Sequence, residues 1–233
     1  MVAARLADLR RRMAAACERV GRDPAEVVLV GASKRQPLER LRQARDAGLE
    51  VFGENQVPEA EAHRRELEAA GEQPAIAWHL IGPLQSNKAK RAAALFDVFH
   101  AIDRPKIARV LDRHLGDLGR RAPAFLEINL GDEPSKHGFS PRQLAATVRP
   151  LAELEHLRLA GLMAIPPRSA TAEDSRPWFR RLADLRRELG EQPEWADRLT
   201  ALSMGMSRDF EIAIEEGATH IRLGTVLFGS RTS

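Results

Sequence analysis

Val27-Val28-Leu29-Val30-Gly31-Ala32-Ser33-Lys34 is a short apolar run that ends in a hydroxyl and a lysine, and over Leu38 to Ala47 the chain then turns to apolar residues spaced three and four apart. A β-branched run followed by helical spacing reads as strand then helix. The unit recurs. Strand-like runs lie at Val27 to Ala32, Glu50 to Phe52, Ile76 to Ile81, Val98 to Ile102, Ala124 to Leu130, Leu159 to Ala164, Leu199 to Met204 and His220 to Leu223. Helical spacing occupies Leu38 to Ala47, Pro58 to Ala70, Asn87 to Leu95, Pro105 to Leu118, Pro141 to Leu151, Ser175 to Leu189 and Arg208 to Glu216. Ser140-Pro141 is expected to cap one of these helices, and Gly48 and Gly217 to end two others in left-handed conformation. Alternation of this kind implies parallel sheet, and eight strands are the number that closes a barrel. The expected fold is therefore α/β: one (β/α)8 TIM-type barrel domain over residues 1–233, with Leu6 to Val20 as an extra N-terminal helix and no second domain after the eighth strand. An open doubly wound sheet is the alternative that alternation alone leaves standing.

Composition narrows the class. Hydrophobic residues make up 43% and charged residues 30% of the chain, the balance of an ordinary globular protein. No apolar run approaches the roughly 20 residues that span a bilayer, so no membrane role is expected. The single cysteine, Cys17, falls in the apolar stripe of the first helix and reads as buried filler, which points to a reducing, cytoplasmic setting. Asp8 and Glu18 interrupt the Arg-rich start, which therefore reads as a helix that stays, not a transit segment. The pI of about 9.5 invites nucleic acid. Yet the formal charge is only +3, the arginines alternate with Asp and Glu along the helices, aromatics are 5% and tyrosine is absent, so the expectation is no nucleic-acid partner.

In a βα barrel chemistry collects at the C-terminal ends of the strands. Five lysines stand against thirty-one arginines, and only Lys34 ends a strand run. Partial desolvation there would favour a neutral amine able to attack an aldehyde, while the plainer reading is a rim salt bridge. Ser203-Met204-Gly205-Met206-Ser207 opens a helix with backbone N–H groups and a hydroxyl, and Gly224-Thr225 does the same after the last strand. A phosphate fits between two such loops, a place where barrels of this class often hold one, although each taken singly is also an ordinary glycine turn or N-cap. Arg222, flanked by Ile221 and Leu223, could donate to a ring nitrogen or form a buried ion pair with Glu127 or another strand carboxylate. Gly205-Met206-Ser207 begins a G-x-S-x-G elbow, but Asp209 stands where the second glycine belongs, which rules out that hydrolase motif. His79, His100 and His220 read as strand histidines, and no metal site is expected.

With these segments in view, the chain resembles the pyridoxal phosphate homeostasis protein family, whose barrel is similar to the N-terminal domain of alanine racemase. The resemblance runs nearly end to end and is carried by Val30-Gly31-Ala32-Ser33-Lys34, Phe52-Gly53-Glu54-Asn55, Trp78-His79-Leu80-Ile81-Gly82, Leu84-Gln85-Ser86-Asn87-Lys88, Gly161-Leu162-Met163, Ser203 to Ser207 with Asp209, and Ile221-Arg222-Leu223-Gly224-Thr225 with Phe228-Gly229. The resemblance implies pyridoxal 5′-phosphate as cofactor, held as a Schiff base on Lys34. It further implies Ser207, Gly224 and Thr225 at the phosphate, Arg222 at the pyridine nitrogen, and Asn55 and Met204 lining the pocket. Gln56, where the family usually shows tyrosine, and Thr232, where an aromatic is common, depart from the pattern.

An arginine at the pyridine nitrogen keeps that atom unprotonated and weakens the ring as an electron sink. A racemase also needs a second acid/base, and the usual tyrosine has no candidate in a chain without one. The expected function is buffering or delivery of pyridoxal phosphate without catalytic residues, with a PLP-dependent racemase as the runner-up. PLP-dependent apoenzymes are the expected recipients and a monomer the expected state.

Overall fold

The computed structural model describes residues 1–72, 76–133, 137–142, 144–167, 170–196 and 198–229. Eight parallel strands, β1 (Val28–Ala32), β2 (Val51–Glu54), β3 (Ala77–Leu80), β4 (Val98–Ile102), β5 (Ala122–Glu127), β6 (Leu157–Met163), β7 (Ala201–Ser203) and β8 (His220–Leu223), close a barrel in chain order. Closure is sealed where β1 meets β8, with Val30 opposite Arg222 and Gly31 opposite Leu223. The open sheet is thereby excluded. Around the barrel run α1 (Val2–Arg19), α2 (Leu38–Asp46), α3 (Val57–Ala69), α4 (Ala89–Leu95), α5 (Pro105–Asp117), α6 (Leu144–Val148), α7 (Arg176–Gly190), α8 (Phe210–Glu215) and α9 (Thr225–Phe228).

Helical spacing explains why these helices lie where they do. On α1 the residues Val2, Leu6, Leu9, Met13, Ala16 and Cys17 fall on one face, and all are buried. The thiol of Cys17 is fully covered, and burial pushes its pKa up. The other faces carry arginines paired with carboxylates: Arg176 meets Glu215 at 2.6 Å and Glu216 at 2.8 Å, Arg180 meets Glu216 at 3.0 Å, and Arg12 meets Glu211 at 3.1 Å. The basic pI is thus spent largely on the protein's own acids. No helix among the described residues is long and apolar enough to cross a membrane.

Several expected boundaries move, for local reasons. β5 ends at Glu127 instead of Leu130, because the Asn129 side chain closes a turn: its amide donates to the Glu133 carbonyl at 2.7 Å, and its oxygen accepts the Glu133 N–H at 3.2 Å. Ser140-Pro141 does not cap a helix. Phe139 is tied back to β5 through Glu127 and Asn129, and helix α6 begins only at Leu144. The four-residue α9 was not anticipated. Gly48 and Gly217 do end helices with φ of 89° and 96°.

Candidate functional site

The Lys34 turn follows β1 directly. Ser33 extends the ladder by one residue, donating its N–H to Gly53 at 2.9 Å, and the Gln36 N–H then closes back on the Ser33 carbonyl at 2.9 Å. Arg35, between them, takes a φ of 55°, and its N–H is held by the Glu59 carboxylate. Lys34 is half-buried, and its amine makes no hydrogen bond or ion pair among the described residues. It lines a cleft of about 540 Å³ with Asn55, Gln85, Lys88, Asp103, Arg104 and His137. Asn55 is set by Gly82, where a Cβ would come within 2.4 Å of the Asn55 carbonyl oxygen. Only glycine permits that approach.

Arg222 lies inside the barrel and is 5% exposed. It donates to the Ser203 hydroxyl and, at 3.1 Å, to the Ala164 carbonyl. Burial, partly countered by the more distant charges of Glu127 and Asp209, lowers its pKa to about 10. The ion pair with Glu127 is not formed. Glu127 instead keeps one buried oxygen without a partner among the described residues, and burial followed by the charge of Asp103 raises its pKa.

Behind Arg222 a chain of polar groups crosses the barrel. The Ser203 hydroxyl lies 2.7 Å from His100 Nδ1, and His100 Nε2 lies 3.0 Å from His79 Nδ1. Since Arg222 donates to the serine oxygen, the arrangement that uses every hydrogen has the hydroxyl donating to His100 and His100 donating to His79. Burial favours the neutral rings this requires. It lowers His79 to about 3, His220 to about 4, and His100 well below the ordinary value. Phe125 flanks the chain, its ring 4.6 Å from that of His100.

The loops after β7 and β8 form the third part. Gly205 has a φ of 91°, and the Asp209 carboxylate folds the turn by accepting the Met206 N–H at 2.7 Å and the Ser175 hydroxyl at 3.1 Å. The hydroxyls of half-buried Ser207 and exposed Thr225 have no partner among the described residues. At Gly224 a Cβ would meet only ordinary contacts, the nearest being the Ala32 carbonyl oxygen at 3.5 Å. A side chain at Gly224 would thus lie in ordinary van der Waals contact with Ala32, without a clash.

Lys34 and Asn55 share one cleft, and the β1–β8 register sets Gly224 beside Ala32, two residues before Lys34. Met204 is fully buried in the apolar core and lends no surface to the cleft. Gln56 is exposed, stands at the N-cap position just before α3 and lines the Lys34 cleft, whereas Thr232 and Lys136 lie outside the described residues. Sequence reasoning missed Lys88, Arg104 and His137 as cleft residues and the buried pair of Glu54 and His63. The signal for the last was legible: His63 interrupts the buried stripe Val57, Ala60, Leu67 of α3.

The family described as alanine racemase, N-terminal domain, matches residues 5–232. Among curated proteins, the pyridoxal phosphate homeostasis protein of Aquifex aeolicus is 41% identical over 227 residues, 97% of this chain and 97% of that one. The homologue of the same description from Pseudomonas aeruginosa is 40% identical over 230 residues, 99% of this chain and 96% of its own length. Among solved structures, PipY of Synechococcus elongatus with PLP bound superposes with a TM-score of 0.85 at 39% identity, covering 98% of this chain and 100% of that one. An alanine racemase of Clostridium difficile, at 14% identity and a TM-score of 0.65, covers 97% of this chain and 57% of its own, and shares the fold.

Proposed function

The chain belongs to the pyridoxal phosphate homeostasis protein family, built on the alanine racemase N-terminal domain, and from that premise we propose that it binds pyridoxal 5′-phosphate and buffers or delivers it. The observation that carries the reading is Lys34: a half-buried amine at a strand end, free of any partner among the described residues, at the wall of a cleft large enough for a cofactor. The amine would add to the aldehyde carbon and the carbonyl oxygen would leave as water, so that the cofactor is held as a Schiff base. The Ser207 and Thr225 hydroxyls, without a partner among the described residues, suit a phosphate beside the small Gly224, and Arg222, with no acid in ion-pair contact among the described residues, suits an acceptor such as the pyridine nitrogen. Asn55 would line the ring, and Met204 would back the β7 loop from the core. The bound group supplies an electrophilic carbon and a conjugated ring, which an arginine at the nitrogen leaves weakly activated.

We take the whole of 1–233 as one working unit, a cytoplasmic monomer whose recipients are PLP-dependent apoenzymes. Two experiments decide the reading. Protein incubated with pyridoxal phosphate, reduced with borohydride and digested should carry the label on Lys34, and Lys34→Ala should lose it; a label at Lys88 or Lys136 instead overturns the assignment. Neither L- nor D-alanine should be racemised by the loaded protein, and turnover near about 1 per second, low for an enzyme, would overturn the carrier reading.

A further inference from the structure

We propose that His63 is a positioning residue for Lys34: it bridges Glu54 of β2 to the Gln36 carbonyl and so locks the turn that presents the Lys34 amine. The proposal rests on Lys34 being the attachment residue. Residues on both sides of Lys34 are tied to one buried carboxylate. The Ser33 hydroxyl reaches Glu54 Oε1 at 2.7 Å, and His63 Nδ1 reaches the same oxygen at 2.8 Å. Across the ring, His63 Nε2 lies 3.2 Å from the carbonyl of Gln36. The direct bond fixes the turn at its start, and the imidazole fixes it at its end. The turn needs fixing, because Arg35 holds a left-handed φ of 55° that a residue with a side chain adopts only at some cost.

The chemistry explains why the bridge is a histidine. Both groups it meets are acceptors, a carboxylate oxygen and a carbonyl oxygen, so the two contacts are satisfied together only when the Glu54–His63 pair carries one proton more than a neutral ring and an ionised acid. The groups facing the ring are Glu54 from β2, Ser33 and Gln36 from the β1 turn, Glu59 from α3 itself, and the Trp78 ring of β3, whose centroid lies 6.4 Å away at 25°. Burial alone would lower the pKa of His63, but the hydrogen bond and charge of Glu54, the Gln36 carbonyl and Glu59 together raise it. Because the folded value is raised, the clamp is complete below the ordinary histidine value and is lost as pH rises through the folded one.

A structural role in packing α3 on the barrel would be kept by His63→Leu, since His63 sits in an apolar stripe; the clamp would not. His63→Gln retains one of the two bonds. Three measurements separate the readings. Amide exchange of Arg35 and Gln36 in the ligand-free protein should rise by about tenfold in His63→Leu, the worth of a net buried hydrogen bond or more, and by less in His63→Gln. The rate of borohydride-trapped attachment at Lys34 should fall in the same order, while affinity for pyridoxine 5′-phosphate, which lacks the aldehyde, stays unchanged. The parent-to-Leu ratio of attachment rates should shrink toward unity as pH rises. Unchanged amide exchange in His63→Leu overturns the clamp whatever Lys34 does. So does a parent-to-Leu ratio of unity across pH. A parent protein labelled elsewhere than Lys34, with the exchange effect intact, refutes the attachment reading and leaves the turn clamp standing.

Discussion

Ser203→Ala removes the smallest group on which the barrel's interior polarity turns. Its hydroxyl accepts from Arg222 and lies 2.7 Å from His100 Nδ1. The guanidinium is 5% exposed and has only the Ala164 carbonyl as its other hydrogen-bonded partner among the described residues. Losing a charge-assisted bond at such a site costs roughly 1.5–3 kcal/mol, and stranding the His100 nitrogen adds about 1 kcal/mol. A loss of about 2.5–4 kcal/mol lowers Tm by about 5–16 °C in a chain of this length. Thermal and urea unfolding of the ligand-free protein, followed by circular dichroism, measure both quantities. A variant within about 0.5 kcal/mol of the parent, the usual spread for inconsequential substitutions, would refute the hydrogen-bond chain as drawn.

Two further outcomes follow from the same geometry. Ser207→Ala and Thr225→Ala should each weaken pyridoxal phosphate binding about ten- to a hundredfold, the worth of one charge-assisted hydrogen bond, and leave pyridoxal without its phosphate nearly unaffected, as isothermal titration will read. Because burial depresses His79 to about 3, His220 to about 4 and His100 well below its ordinary value, the unfolded chain takes up protons that the folded barrel refuses. The contribution of these three rings should be fully present above about pH 6.5 and fall as pH drops toward 4, by up to about 1.4 kcal/mol per pH unit for each ring, and urea midpoints across that window should show it.

Barrel residues and candidate-site residues differ in how plainly the sequence announces them. The eight strands were legible because each is a short apolar run set off by helical spacing, and β4 and β8 fall on the expected residues. Lys34 was legible because it ends such a run in a chain that otherwise uses arginine. What stayed hidden are contacts between segments distant in sequence. Nothing local marks His137 as a neighbour of Lys34, and the His100–Ser203 bond joins residues 103 positions apart. Ser140-Pro141 misled for the same reason: its local signal is a cap, but backbone bonds from Phe139 to β5 hold the chain in another direction. Met204 has the motif's spacing, yet strand alternation turns it into the core.

The arginine–carboxylate pairing of the outer helices also governs what a reactive carbonyl meets on this protein. A guanidinium stays protonated and offers an aldehyde no free amine, so a surface built on arginine is chemically quiet toward it. Of the five lysines in the chain, only Lys90 and Lys106 are exposed among the described residues, Lys34 and Lys88 being half-buried. Competing sites for unselective condensation are correspondingly scarce, and the proposed attachment at Lys34, at the wall of its cleft, stands against that background.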